Sequence, residues 1–382
     1  MATQRTESYP RDQRGYQTAP DPVTALGIFG KGTTLPMLAA QESFTFGCAD
    51  ACDLQVDEKY LASIHARLDR IVGSRGGIRV TNVSSGKNDI VHNGEIAESE
   101  FEMGAGEWFD IGDTRYYALN DEMRLARPKV MEVLGVRQHK AIDELLIAAV
   151  KDSTRHVLLL GEPGCDQERL GRVIHQVSHR RHNRFHPLPD RPRLDSATRQ
   201  DIVDANNGTI IVPLYQKGKL EERVASALVH PEAKLRLIIC ARSPDKIAAS
   251  FPAEVISNAK HISISPLRER KGEIAEILDQ WFIVRRSQLR FSALRPDLRE
   301  SLLAHNWPDN LRELRETVDH LVELAHYNSG HQATMTSRVT RGVFRNWLKK
   351  LNLRKLTFPL LPQRDSGTGV GGASSSTVAS DE

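Results

Sequence analysis

Val157-Leu158-Leu159-Leu160, followed by Gly161-Glu162-Pro163-Gly164-Cys165-Asp166-Gln167-Glu168, decides the reading of this 382-residue chain. An apolar run leads into a Gly-containing turn. Arg169-Leu170-Gly171-Arg172-Val173-Ile174-His175 follows, with its apolar residues at helical spacing. Strand, turn and helix in that order are the setting of a phosphate-binding loop, Gly-x-x-x-x-Gly-Lys-[Ser/Thr]. There the backbone N–H groups cradle phosphates, the Lys reaches the β/γ-phosphates and the hydroxyl holds Mg²⁺. Gly161 and Gly164 are in place, but Asp166 stands for the second Gly, Gln167 for the Lys and Glu168 for the hydroxyl. Two carboxylates occupy positions that would meet a polyanion.

Working outward, strands and helices alternate from His156. Thr209-Ile210-Ile211-Val212 and Leu235-Arg236-Leu237-Ile238-Ile239 are the next strands, which predicts a parallel sheet covered by helices. Residues 122–151 read as helical, with Ile142, Leu145, Leu146 and Val150 on one face. Glu273 to about Leu324 reads as helical throughout. Residues 23–121 read as short strands between Gly/Asn/Asp/Ser turns, with Phe44-Thr45-Phe46, Ile78-Arg79-Val80 and Trp108-Phe109-Asp110-Ile111 as strand candidates. Polar residues 1–22 and Ser/Gly-rich residues 362–382 read as disordered ends. The predicted organisation is multidomain: an all-β sandwich (23–121), an α/β domain (122–272), a helical lid (273–330) and a short basic helix (331–361).

Composition sets the class. A hydrophobic fraction of 40% and a charged fraction of 26% are those of a soluble globular protein. No apolar run approaches the roughly 18 residues that span a bilayer, and the polar start has no signal-peptide core. A cytoplasmic protein without membrane partner is expected. Cys48, Cys52, Cys165 and Cys240 are scattered and read as free thiols, with no metal site.

The segment from about Ala141 to Leu324 resembles the AAA+ domain of bacterial sigma-54-dependent activators. The stretch around Gly161, Ile264-Ser265-Pro266-Leu267-Arg268-Glu269-Arg270-Lys271-Gly272-Glu273-Ile274 and Trp307-Pro308-Asp309-Asn310-Leu311-Arg312-Glu313-Leu314 carry the resemblance, in the family's order. The resemblance implies an ATPase whose carboxylates end the Thr209 strand; Pro213 and Leu214 stand there. Arg242 stands where a γ-phosphate-sensing Asn is implied, and Pro252 and Asn258 where trans-acting arginines are implied. Arg312 matches the second sensor arginine. Gly161, Gly164, Gln167, Glu168 and Arg312 are thus a vestigial nucleotide site, and no catalytic residues are expected. No cofactor is expected; weak ATP or ADP binding stays open. Between His175 and Thr209 no sigma-54-contacting loop motif occurs. The basic run Arg180-Arg181-His182-Asn183-Arg184-Phe185-His186-Pro187 reads as a solvated loop, so sigma-54 contact is not expected.

Residues 23–121 resemble a forkhead-associated (FHA) domain, an eleven-stranded sandwich that binds phosphothreonine peptides. Phe44-Thr45-Phe46-Gly47-Cys48, Cys52 to Asp57, Tyr60 to Leu68, Lys87 to Gly94 and Gly106 to Gly112 carry this resemblance. It implies Ser63, His65, Lys87 and Asn88 as peptide-binding residues. Cys48 and Ala62 replace an implied Arg and hydroxyl, and Ser63 replaces a second implied Arg, which weakens recognition of a phosphate carrying about −1.5 to −2 charges. Regulatory proteins, phosphorylated or not, are the implied partners.

Thr336 to Leu353 resembles the recognition helix of the helix-turn-helix that ends sigma-54 activators. Val339, Val343, Phe344, Trp347, Leu348 and Leu351 form one helical face; Arg338, Arg341, Arg345 and Lys349 are its candidate DNA contacts. Packing of this helix on the lid is the competing reading. The expected function is a non-catalytic regulator of transcription that acts through DNA or a regulator. Alternatives are an interaction scaffold and an ATP-dependent sigma-54 activator.

Overall fold

The computed structural model describes residues 22–71, 76–84, 89–97, 99–151, 154–189, 195–215, 220–294 and 296–328. Strict alternation builds the N-terminal part: Phe44 and Phe46 are buried, while Ser43 is exposed. Eleven strands form there: β1 (Ala25–Ile28), β2 (Thr34–Pro36), β3 (Ser43–Gly47), β4 (Leu54–Gln55), β5 (Ala66–Arg70), β6 (Ile78–Asn82), β7 (Ile90–His92), β8 (Glu95–Ile96), β9 (Glu100–Met103), β10 (Trp108–Ile111) and β11 (Thr114–Leu119). They make two sheets, ordered β2-β1-β11-β10-β7-β8 and β4-β3-β5-β6-β9. Phe46 meets the Tyr116 ring edge-on at 5.0 Å between centroids, and Phe109 at 6.1 Å. Each such burial contributes roughly 1.5–3 kcal/mol. Eleven strands in two sheets are the sandwich that the sequence resemblance implies.

The sandwich runs straight into helix. β11 ends at Leu119, and Asn120 caps α1 (Asp121–Leu134), its Oδ1 accepting the Met123 N–H at 2.9 Å. Asp121 and Glu122 lie in the first turn, where the helix dipole favours acids. α2 (His139–Lys151) follows. The continuous helix expected over 122–151 is therefore two. Gly135 stops the first with φ of 117°, a conformation that L side chains rarely adopt. Asp143 of α2 is fully buried. Its carboxylate accepts the Tyr117 hydroxyl at 2.8 Å and the Gly30 N–H at 2.7 Å, and pairs with Arg127 of α1.

β12 (Val157–Leu160), α3 (Gln167–Val177), β13 (Phe185–Pro187), α4 (Ser196–Asp204), β14 (Thr209–Leu214), α5 (Glu222–Leu228), β15 (Arg236–Ala241), α6 (Pro244–Ala248), α7 (Ala253–Ser257) and β16 (Lys260–Ser263) form the α/β part. Its parallel sheet is ordered β13-β14-β15-β12-β16. Two strands differ from expectation. β13 lies inside the basic run read as a loop, and β16 buries one residue of four, too little for a periodic signal. β14 also extends through Pro213 and Leu214. Pairing with β13 stops at Ile211, so at Pro213 the sheet has a neighbour strand on one side only, where a missing N–H is tolerated.

Two compact units result: residues through Arg270 with Asp309–Arg312, and Lys271–Pro308 with residues from Glu313 onward. The second contains α8 (Ile274–Val284), α9 (Pro296–Ala304) and most of α10 (Asn310–Asn328). Trp281, Phe282, Leu302 and Trp307 are buried in it, and the Trp307 Nε1–H donates to the Leu302 carbonyl at 3.1 Å. Helicity over 273–324 is not continuous. Arg286 and Trp307 take positive φ of 54° and 50°, which a helix cannot accommodate.

Candidate functional site

In open α/β sheets ligands meet the carboxyl ends of the strands. There β12 passes into the Gly161–Asp166 turn and α3. The turn is anchored below by the Gly161 N–H, which donates to the Ala241 carbonyl at 2.9 Å. Asp166 enters the helix with left-handed φ of 60° and makes no side-chain cap.

Gln167 is 2% exposed and turns back into the loop: its Nε2 donates to the Glu162 carbonyl at 3.0 Å. A Cβ on Gly161 would lie 3.1 Å from that same Nε2. The loop's outer face is met by Asp309–Arg312. A Cβ on Gly164, whose φ is +83°, would lie 2.0 Å from the Asp309 carbonyl oxygen. The Arg312 N–H donates to the Gly164 carbonyl at 3.1 Å, and Asn310 Nδ2 to the Pro163 carbonyl at 3.1 Å. Asn310 Oδ1 in turn accepts the Leu267 N–H at 2.8 Å. Glu162 receives both terminal nitrogens of Arg268, at 2.6 and 2.7 Å, which holds its carboxyl below the usual range.

Several charges around the loop are paired within the protein. Arg169 joins Glu132 of α1 and lies 3.7 Å from Asp166, and Arg270 Nη1 donates to the Glu132 carbonyl at 3.3 Å. Burial pushes the Cys165 thiol up to about 11. At the end of β14, Pro213 is buried and Leu214 half-buried. The neighbouring Tyr215 hydroxyl bonds the buried Cys240 thiol, and burial drives both groups upward in pKa. Arg242 is exposed after β15, and Pro252 and Asn258 flank α7.

Of the residues expected in this site, Gly161, Gly164 and Gln167 meet in one loop, with Glu168 in the first turn of α3. Arg312 reaches the loop through its backbone while its side chain is exposed. Sequence reading missed Glu162, Arg268 and Asn310 as a mutual network, since motif residues show their partners only once folded.

At the loop end of the sandwich, Ser63 is exposed. His65 is fully buried, its Nδ1 accepting the Ala62 N–H at 3.1 Å, a bracing position rather than a contact one. Lys87, Asn88, Arg338, Arg341, Arg345 and Lys349 lie outside the described residues. Among the described residues no group of acids, His and Cys could hold a metal, and no helix is long and apolar enough to cross a membrane.

Residues 268–341 match the family of the AAA+ ATPase lid domain. The chain is 27% identical over 238 residues to the putative uric acid sigma-54-dependent transcriptional regulator UacR of Escherichia coli (strain K12), covering 52% of this chain and 40% of that protein. The chain thus spans well under two thirds of that relative's length. NtrX from Brucella abortus in complex with ATP is similar at 17% identity and a TM-score of 0.40, over 53% of this chain and 51% of that one. The FHA domain of the CT664 protein from Chlamydia trachomatis is similar at 15% identity and a TM-score of 0.22, over 25% of this chain and 95% of that one. Residues 268–341 thus match a AAA+ ATPase lid, and the chain is similar to sigma-54-dependent transcriptional regulators. SfnR of Pseudomonas fluorescens (strain Pf0-1), 24% identical over 45% of this chain and 57% of that protein, is likewise a sigma-54-dependent transcriptional regulator.

Proposed function

We propose that this chain is a cytoplasmic regulatory protein that controls transcription without turning over ATP and without contacting sigma-54. One observation carries the reading: Gln167, at the place of the phosphate-binding Lys, is buried and donates to the Glu162 carbonyl, and the Asp309 carbonyl oxygen closes on Gly164 of the same loop. A magnesium-bound nucleotide does not fit the residues present. Mg²⁺ takes oxygen ligands, and Pro213 and Leu214 offer no side-chain oxygen, while Asp166 and Glu168 repel phosphate. A trans-acting arginine is worth about 10³–10⁵ in rate; Pro252 and Asn258 supply none.

Regulation then runs through binding. The FHA-like sandwich serves as the protein-interaction module, and the basic C-terminal segment, with Arg338, Arg341, Arg345 and Lys349, as a DNA contact. Phosphate release from Mg-ATP by the purified full chain, beside an active sigma-54 activator as control, tests the reading. Turnover at background is expected, and turnover matching the control overturns it. A scaffold without DNA binding is the second reading, favoured by the Cys48, Ala62 and Ser63 loop end, which keeps an interaction surface after the implied phosphate-binding side chains are gone.

A further inference from the structure

Three loops are tied together at one end of the sandwich. The Cys48 N–H donates to the Ala62 carbonyl at 3.0 Å and the Ala49 N–H to the Ser63 carbonyl at 3.1 Å. The His65 carbonyl accepts the N–H groups of Val83 and Ser84 at 3.0 and 3.1 Å. The Cys52 thiol adds a bond to the Ser63 carbonyl at 3.1 Å. A Cβ on Gly47 would lie 2.3 Å from that carbonyl oxygen, so the first two loops touch through backbone. The surface is therefore set by backbone bonds and does not depend on a ligand to assemble it.

Its exposed side chains are mainly apolar and acidic. Ile64 and Val83 are 48% and 46% exposed. Ala51 is exposed, and Ala49 and Ala62 are half-exposed. Among the described residues 48–53, 62–65 and 83–84 no Lys or Arg occurs; Lys87, which follows in sequence, lies outside the described residues. The acids are Asp50 and Asp53. Asp53 is held at about 2 by the Thr45 N–H and hydroxyl and the Gln41 amide, so it is ionised throughout the neutral range. Asp50 is exposed, with one carboxylate oxygen on the Gln55 amide at 2.7 Å.

We infer that this loop end binds an unphosphorylated peptide segment that places a large apolar side chain against Ile64 and Val83 and a basic residue towards Asp50. The inference rests on the reading of the sandwich as an interaction module. Charge decides the occupant. A phosphothreonine would set about −1.5 to −2 charges against an acidic, apolar surface, whereas a basic and apolar segment complements it. Exposed apolar side chains clustered within a polar rim mark interaction surfaces.

Arrays of short random peptides, unphosphorylated and with a fixed phosphothreonine, are probed with the full chain. The best peptide is then titrated by fluorescence anisotropy. Retention of apolar peptides carrying Lys or Arg is expected. Ile64→Asp with Val83→Asp should weaken the peptide about tenfold or more, a change of about 1.4 kcal/mol, without moving the thermal midpoint. Asp50→Ala should flatten the salt dependence. If the double Asp variant does not fold, Ile64→Ser with Val83→Ser gives the same reading. Selection of phosphothreonine or acidic peptides, equal binding by the variants, or no retained peptide overturns the inference. The ATP-turnover assay is independent of all these outcomes, so failure of the peptide site and failure of the non-catalytic reading are told apart.

Discussion

The Tyr117 hydroxyl, at the end of the sandwich, donates to the fully buried carboxylate of Asp143 in α2 at 2.8 Å. Arg127 completes the group by bonding both the Asp143 carboxylate and the Tyr117 oxygen, the latter at 3.0 Å. Removing one partner of a buried ion pair strands the other charge, at a cost of roughly 3–5 kcal/mol. Asp143→Ala should therefore lower unfolding stability by about that amount in denaturant titration. Tyr117→Phe removes one neutral donor and should cost about 1 kcal/mol. Because the bonds join β11, the Gly30 turn, α1 and α2, the wild type should show one transition for sandwich and α/β signals together. Two separated transitions would contradict this.

Gly164 tests how tightly the loop is met. With φ of +83° and the Asp309 carbonyl oxygen 2.0 Å from a Cβ position, Gly164→Ala meets backbone that cannot step aside cheaply. A strained left-handed residue costs about 1–3 kcal/mol by itself, and the clash adds to it. A loss of about 2 kcal/mol or more is expected by chemical denaturation. Gln167→Lys, by contrast, restores one missing charge but no metal ligand. It should leave phosphate release from Mg-ATP at background.

His175 is buried against the Thr209 hydroxyl at 3.0 Å, and burial, with Arg236, Arg172 and Arg180 nearby, lowers its pKa to about 4. The unfolded chain returns it to about 6.5. Below that value the unfolded state binds a proton that the folded state refuses, so stability falls with decreasing pH until about 4. The loss between about pH 7 and about pH 5 should be roughly 2 kcal/mol. His175→Gln should flatten that portion of the stability-versus-pH curve.

Arg341→Ala with Arg345→Ala separates the DNA reading from the scaffold reading. Under the first, the wild type retards duplex DNA in a gel at low salt, and affinity falls steeply with added salt. The double variant loses about two phosphate or base contacts and should have a shallower salt slope. No retardation by the wild type at low salt would leave the scaffold reading.

Much of the architecture was legible because it rests on local periodicity. The alternation around Phe44 and Phe46 and the apolar runs Val157–Leu160 and Thr209–Val212 gave strands that folding keeps. What was not legible lies in long-range partners. The breaks at Gly135, Arg286 and Trp307 depend on single backbone conformations inside otherwise periodic stretches. β13 and β16 carry too few buried residues to announce themselves. The replacements at Asp166, Gln167, Pro213 and Leu214 were readable as changes in chemistry. That Gln167 would fold onto the Glu162 carbonyl, and that Asn310 would join two stretches more than a hundred residues apart, was not, because neither contact leaves a trace in spacing.

Asn120 is the single residue between β11 and α1, and it is spent as the helix cap. A recognition module travels between proteins when a slack tether lets it be cut out and reinserted. Here a cut after Asn120 strips the helix of its cap, and a cut on either side of it leaves Tyr117 and Gly30 without Asp143. An insertion at the same point would rotate the helix away from both. The sandwich has exchanged portability for a fixed bearing, so its evolutionary fate, and that of any partner it holds, is tied to the helices it feeds.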